Sequence, residues 1–353
     1  MMKYWLFIFP GVIGCLAMGC NNSSKPVRHD AQVIGIGKMP NAATDDTGNA
    51  HIVFGSGDSI LYALYNKQDE SFSKPVLVAS LPHLVASHMR GPQIASTSHG
   101  LTIIACNTAG DIFSFQKASP GSWMPTARVN DVDTIAKEGF TALSGDGEHL
   151  FAVWLDLRDG HNKIFGAGST DGGRSWSKNL VVYQSPDTTV CECCKPSVVI
   201  KGNDIYVMFR NWLNGNRDMY LAHSKDGGLR FSAAEKLGTG SWALNGCPMD
   251  GGGLTVQDNQ VQTVWNRKGK IYTSIPGAEE KAIGEGRACT MTTVNRQNVY
   301  AWIEKDSLQC LLPRGRKIAV GKGTTPVLKP MGNKQLMYLW EDEDQVHSKI
   351  IHL

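Results

Sequence analysis

Cysteine is concentrated in one short segment, Cys191-Glu-Cys-Cys194, and Cys247 follows about 50 residues later. Two chemistries fit this pattern. A disulfide between Cys247 and one of the first three cysteines would tie two distant segments together. Alternatively, Cys191, Cys193, Cys194 and Cys247 would bind copper or zinc as thiolates, because sulfur ligands select soft ions. Since Cys-x-Cys-Cys is not a standard zinc spacing, no metal cofactor is favoured.

A second group of chemically capable side chains is charged. Glu192 lies inside the cysteine segment, and Arg210 follows the apolar run Asp204–Phe209. A carboxylate can act as an acid, base or nucleophile, whereas arginine presents a planar fork that binds a carboxylate. The chain has 35 Lys and Arg against 32 Asp and Glu, a net charge of +3, and no long run of one sign. Neither nucleic acid nor a polybasic membrane contact is therefore predicted. An anionic ligand would have to be bound by positive charges at a local site.

Repeated strand units must position these residues. Seven apolar runs recur at intervals of about 40 to 55 residues: His51–Phe54, Thr102–Cys106, Phe151–Trp154, Tyr206–Phe209, Gln262–Trp265, Val299–Trp302 and Leu336–Trp340. Units of this length, without long amphipathic helices, are typical of propeller blades. We predict an all-β propeller of four-stranded antiparallel blades, with seven blades favoured and six possible. The last unit, Thr325–Leu353, has only three strands, and Gln32–Gly37 is expected to supply its fourth.

Two segments one blade apart, Ser169–Trp176 and Ser224–Phe231, share the frame Ser-x-Asp-x-Gly-x-x-aromatic. They resemble the Asp-box, or BNR repeat, of sialidases and related propellers. In such a turn the aspartate accepts amide hydrogen bonds, glycine adopts a positive φ, and the aromatic ring packs beneath the hairpin. The resemblance implies one sialidase-like propeller domain over residues 32–353, and it carries no evidence of catalysis.

The order of Glu192, Arg210 and an Asp-box is similar to the central part of a sialidase. This resemblance implies that Glu192 activates a tyrosine nucleophile and that Arg210 grips the carboxylate of the substrate. The other residues that it implies are Arg90 and Arg287 as further arginines, Asp111 as the acid/base and Tyr338 as the nucleophile.

The sequence therefore favours a propeller that recognises or hydrolyses an acidic glycan at the face where the chain enters each blade. The leading activity is a glycoside hydrolase similar to exo-sialidases. A non-catalytic carbohydrate-binding propeller is the first alternative, with Trp212 and Trp242 stacking on sugar rings. A thiol-based copper or zinc protein is the second. The oligomeric state is not indicated by the sequence.

Residues 1–20 resemble a bacterial lipoprotein signal. Lys3 precedes the apolar stretch Trp5–Leu16, which ends in Ala17-Met-Gly-Cys20. The resemblance implies lipidation of Cys20 and a flexible tether over residues 21–31. We expect an exported lipoprotein, on the periplasmic side or at the cell surface, that contacts the membrane through its lipid only. An oxidising compartment favours the disulfide over the thiolate metal site.

Overall fold

The strands of the computed structural model, which describes residues 1–3, 31–117 and 121–353, pair into seven antiparallel sheets. Blade 1 contains β2 (Lys38–Thr44), β3 (Ala50–Ser56), β4 (Ser59–Asn66), β5 (Ser71–Phe72) and β6 (Val76–Ser80), the last two both pairing with β4. Blade 2 contains β7 (Gln93–Thr97), β8 (Gly100–Cys106), β9 (Ile112–Lys117) and β10 (Trp123–Arg128). Blade 3 contains β11 (Thr141–Asp146), β12 (His149–Asp156), β13 (Lys163–Ser169) and β14 (Leu180–Tyr183).

The remaining blades follow the same order from the inner to the outer strand. Blade 4 contains β15 (Ser197–Lys201), β16 (Asp204–Arg210), β17 (Met219–Ser224) and β18 (Glu235–Lys236). Blade 5 contains β19 (Gly253–Gln257), β20 (Gln260–Arg267), β21 (Lys270–Ser274) and β22 (Lys281–Glu285). Blade 6 contains β23 (Arg287–Val294), β24 (Gln297–Glu304), β25 (Ser307–Leu311) and β26 (Lys317–Lys322), with a 3₁₀ turn at Pro313–Gly315. Blade 7 contains β27 (Thr324–Pro330), β28 (Gln335–Asp342), β29 (Gln345–His352) and, outermost, β1 (Gln32–Ile36).

The inner strands close a ring. Each contacts the inner strand of the next blade, in the order β2, β7, β11, β15, β19, β23, β27 and back to β2. The N-terminal strand β1 pairs antiparallel with β29, and the Gly37 amide donates to the Asp344 carbonyl at 2.7 Å. This pairing removes the open edge that blade 7 would otherwise expose. The predictions of seven blades and of an N-terminal fourth strand in the last blade are confirmed.

The second strand of each blade explains the apolar runs of the sequence. In β12, the residues from Leu150 to Asp156 are all at most 2% exposed, because neighbouring blades cover both faces of the sheet. Small residues in the adjacent strand make room for the large ones. A Cβ added at Gly166 would lie 2.6 Å from the Phe151 ring, so a side chain there would collide with the core.

The two Asp-boxes join the third and fourth strands of blades 3 and 4, on the face opposite the blade entrances. In the first, Asp171 Oδ1 accepts from the Ser175 amide at 3.0 Å, and Ser169 Oγ accepts from the Gly173 amide at 2.9 Å. The Trp176 indole donates to Ser114 Oγ of blade 2 at 3.1 Å. The motif therefore closes a turn and also ties neighbouring blades together.

Cys20 and residues 4–30 lie outside the described residues, so lipidation at Cys20 stays a prediction. In the described ranges, no helix has the length and hydrophobicity that a membrane span requires.

Candidate functional site

The connections that enter the first strand of each blade lie on one face of the ring. These connections are long for blades 2 to 5, where they cover residues 81–92, 129–140, 184–196 and 237–252. For blades 1, 6 and 7 the connection is a single residue, Gly37, Gly286 or Gly323. A Cβ at Gly286 would lie 2.1 Å from the Ile303 carbonyl oxygen, so this tight entry requires glycine. The face is therefore built up over blades 2 to 5 and low over the others.

The central channel opens on this face and holds two lysines. Lys195 lies two residues before β15, Lys329 lies near the end of β27, and both line a cavity of about 250 Å³. Lys195 Nζ donates to Gln93 Oε1 at 2.8 Å. Burial lowers the pKa of each lysine to about 8, and the Lys329 charge contributes to the shift at Lys195. No carboxylate of the described residues forms an ion pair with either ammonium, so each lysine charge lies in the channel without a direct partner.

A buried carboxyl group lies on the wall of the same cavity. Asp250 is 3% exposed, and its Oδ2 accepts from the Ala288 amide at 2.9 Å. Its Oδ1 has no hydrogen-bond partner in the described part of the chain. Burial raises the pKa of Asp250 to about 6, although the charges of Arg210 and Arg287 oppose the shift. A group of this kind can donate or accept a hydrogen bond, depending on the pH.

A pair of glutamates lies on the built-up part of the face. Arg90 stacks on the Phe140 ring at 3.9 Å, and its Nη2 lies 3.8 Å from Glu138 Oε2. The pKa of Glu138 is raised, mainly by burial and also by the nearby negative charge of Glu192, while Arg90 and a hydrogen bond from Asn162 lower it. Glu192 is exposed. The structure thus brings the predicted residues Glu192 and Arg90 together through Glu138.

The cysteine cluster lies beside Glu192. Cys193 and Cys247 form a disulfide, which confirms the predicted bridge between the segment and Cys247. Cys191 and Cys194 are free, buried thiols with their sulfurs 3.5 Å apart. Arg217 Nη1 donates to Cys191 Sγ at 3.0 Å. The alternative metal site would need thiolates at all four positions, and two of these are bonded to each other here.

Arg210 is where the structure departs most from the sialidase resemblance. Its side chain is 1% exposed, and the guanidinium donates to three carbonyl oxygens, those of Asp250, Arg217 and Asn266, at 3.2, 2.8 and 3.0 Å. It also lies 5.4 Å from the Trp242 ring centroid. Arg210 therefore joins blades 4 and 5 from within and is not free to grip the carboxylate of a substrate.

Two further predicted catalytic residues, Tyr338 and Asp111, form contacts that hold the fold together. Tyr338 is fully buried in the middle of β28, and its hydroxyl donates to the Gln309 carbonyl at 3.2 Å. It packs in the core of blades 6 and 7 and is not accessible as a nucleophile. Asp111 follows β8, where its Oδ1 accepts from the Thr134 amide at 2.9 Å. This contact orders a loop of blade 2.

The other predicted binding residues lie on the loop-rich face, in different settings. Arg287, at the start of β23, is 61% exposed and 3.9 Å from Asp306. Trp212 is partly buried, and its ring stacks on the Arg217 guanidinium at 4.7 Å. The indole therefore covers the cation that contacts the cysteine cluster, which leaves less of its face for a sugar ring.

Sequence reasoning missed the lysines of the channel. Lys329 is the charged residue in the inner strand Thr-Thr-Pro-Val-Leu-Lys-Pro, and Lys195 follows the cysteines directly. A lysine within an inner strand is the signal that could have found Lys329, because inner strands line the channel.

No family model matches the sequence, and no curated protein matches it. Solved structures with a similar fold include a protein of unknown function from Dyadobacter fermentans, with 14% identity and a TM-score of 0.51 over 92% of this chain and 98% of that one. The α-L-arabinofuranosidase Arb93A from Fusarium graminearum, in complex with an iminosugar inhibitor, has 11% identity and a TM-score of 0.53 over 92% and 98%. A mutant Aleuria aurantia lectin, in complex with Fucα1-6GlcNAc, has 10% identity and a TM-score of 0.51 over 83% and 98%. At these identities the likeness shows the propeller fold alone.

Proposed function

We propose that the protein is a carbohydrate-recognising propeller that binds an acidic glycan on the loop-rich face. The observation that carries the proposal is the pair of partly buried lysines, Lys195 and Lys329, which line the channel and form no ion pair with a carboxylate of the described residues. Burying a cation without a partner is unfavourable, and a ligand anion would remove that penalty. The iminosugar inhibitor and the Fucα1-6GlcNAc in two of the similar propeller structures support a carbohydrate as the ligand.

Asp250 adds a pH dependence to the proposed binding of an acidic glycan. Asp250 lines the same cavity, and its buried Oδ1 has no hydrogen-bond partner in the described part of the chain. The carboxyl group can accept a hydrogen bond or, when protonated, donate one. The lysines lose their charge as the pH rises through about 8. Asp250 gains a negative charge as the pH rises through about 6. Affinity for an anionic sugar should therefore fall in two steps as the pH increases.

The test is isothermal titration with sialylated and uronic oligosaccharides and with their neutral counterparts. Lys195→Met and Lys329→Met are compared with Lys270→Met, an exposed lysine at a strand turn. Losing one charge-assisted contact should weaken acidic-glycan binding by about 10- to 100-fold, and the control should bind as the wild type does. Equal affinity for acidic and neutral sugars, or unchanged binding by both channel variants, would reject the proposal.

A second candidate function is glycoside hydrolysis by Glu138 and Glu192. Glu138 is partly buried with a raised pKa, as a general acid requires, whereas Glu192 is exposed. Two carboxylates in such unequal environments divide the roles of acid and of nucleophile or base. A tyrosine nucleophile at Tyr338 has no part in this mechanism, because that side chain is buried.

Release of reducing sugar from acidic oligosaccharides measures this activity. Glu192→Gln and Glu138→Gln should each lower the rate by at least about 100-fold while binding is retained, and azide should restore turnover to Glu192→Gly if Glu192 is the nucleophile. Glu148→Gln, on the opposite face, is the matched control. If the wild type binds the glycan without turnover, the proposed hydrolase activity is rejected and the proposed recognition function is retained.

A further inference from the structure

Three sulfur atoms of one loop lie in mutual contact. Cys191 Sγ is 3.7 Å from Cys193 Sγ and 3.5 Å from Cys194 Sγ, and all three lie within 4.8 Å of one another. Cys193 is at the same time bonded to Cys247. A free thiol pair therefore sits directly beside a disulfide, and exchange proceeds by attack of a thiolate on a disulfide sulfur.

The environment of Cys191 favours its thiolate. The pKa of Cys191 is lowered to about 6, first by its hydrogen bond with Cys194 and then by the charges of Arg217 and Arg210, although burial opposes this. Arg217 Nη1 contacts the sulfur at 3.0 Å, and its guanidinium is held against the Trp212 ring. Burial raises the pKa of Cys194. The pair therefore consists of one thiolate and one neutral thiol, and the thiolate is the nucleophile in exchange.

We propose that these four cysteines form an internal thiol–disulfide relay in which Cys191 exchanges with the Cys193–Cys247 bond. In the first step the Cys191 thiolate attacks Cys193 Sγ, a Cys191–Cys193 bond forms, and Cys247 leaves as a thiolate that takes a proton from water. In the second step Cys194 loses its proton and attacks Cys191 Sγ, a Cys191–Cys194 bond forms, and Cys193 leaves as a thiolate that takes up that proton. The relay moves one disulfide between two pairs and needs no external oxidant or reductant.

The sulfurs of the relay differ in their exposure to solvent. Cys191 and Cys194 are 1% and 2% exposed, whereas Cys247 lies in an exposed loop. The exchange therefore transfers a thiol from the interior to the surface, where it can react with another thiol or disulfide. This inference does not depend on glycan binding, because none of the four cysteines is among the proposed sugar contacts.

The experiment uses the full protein, purified without reductant and treated with a bulky polyethylene-glycol maleimide that reaches surface sulfur only. We expect slow labelling of Cys247 in the folded wild type, with a Cys191–Cys193 or Cys191–Cys194 disulfide in the peptide map. Cys191→Ser should slow this labelling by at least about tenfold, because the attacking thiolate is gone. Cys289→Ser, a buried cysteine outside the cluster, is the matched control and should label as the wild type does.

A second variant keeps the test decisive if Cys191→Ser does not fold. Cys194→Ser blocks only the second step, so labelled Cys247 should accumulate together with a Cys191–Cys193 disulfide. Equal labelling of wild type and Cys191→Ser would overturn the relay, as would an unchanged Cys193–Cys247 bond in every sample. Purified protein that holds copper or zinc on four thiolates, without a disulfide, would overturn it in favour of a metal site.

Discussion

Replacing Lys329 by methionine should stabilise the protein and weaken its ligand binding at the same time. Lys329 Nζ lies in the channel without a carboxylate partner, and burial lowers the pKa of this lysine from 10.5 to about 8. At 1.36 kcal/mol for each pKa unit, that difference corresponds to about 3 kcal/mol of unfavourable free energy when the lysine is charged. Because the side chain is only partly buried, we expect a net gain of about 1 to 2 kcal/mol for Lys329→Met.

The pH dependence of this gain follows from the direction of the shift. The folded state binds the lysine proton more weakly than the unfolded chain does, so the penalty is absent above about 10.5 and complete below about 8. Lys329→Met should therefore exceed the wild type in stability at pH 7, and the difference should shrink between pH 8 and pH 10.5.

Urea denaturation of wild type, Lys329→Met and Lys270→Met at pH 7 and pH 10 measures the effect. Lys270 is exposed at the start of β21, and its substitution should change the free energy of unfolding by less than about 0.5 kcal/mol at either pH. A Lys329→Met variant less stable than the wild type at pH 7 would refute the reasoning. The lysine would then be a stabilising part of the channel wall, and its charge would need no ligand to explain it.

Three further changes test the framework around the site by denaturation. Cys247→Ser opens a disulfide with a sequence separation of 54, which should lower the free energy of unfolding by about 4 kcal/mol; a loss below about 1 kcal/mol would contradict the role of the bridge. Arg210→Ala removes the hydrogen bonds to three carbonyl oxygens and should destabilise by at least about 3 kcal/mol, whereas Arg287→Ala, at an exposed position, should have little effect. Gly228→Ala places a Cβ 2.4 Å from an aromatic ring at a position where φ is +87°, and it should lower the free energy of unfolding by about 3 kcal/mol or more. Gly202→Ala should lower it by about 1 kcal/mol only, because φ is +58° there and no atom lies within 4 Å of the added Cβ. Similar losses in the two variants would refute the steric argument.

The sequence alone determined the architecture, because each blade repeats a local pattern. A strand that is buried on both faces consists of consecutive apolar residues. A run such as Phe151–Trp154 can therefore be recognised from the sequence without knowledge of its neighbours in the fold. The two Asp-box frames predicted two turns. Because the last unit had only three predicted strands, it also predicted that the N-terminal strand β1 completes the blade. The cysteine spacing narrowed the disulfide to Cys247 and one of three partners, and the structure selected Cys193.

Only the tertiary structure decided which side chains line the channel and which hold the blades together. The motif order that assigned Arg210 to a substrate is the same whether its guanidinium points outward or, as found, toward three carbonyl oxygens. The contact between Lys195 and Gln93 is likewise not visible in the sequence, because these residues are 102 positions apart and meet only when the ring closes. Strand periodicity fixes the burial of each residue locally, whereas contacts across the channel depend on the position of every blade.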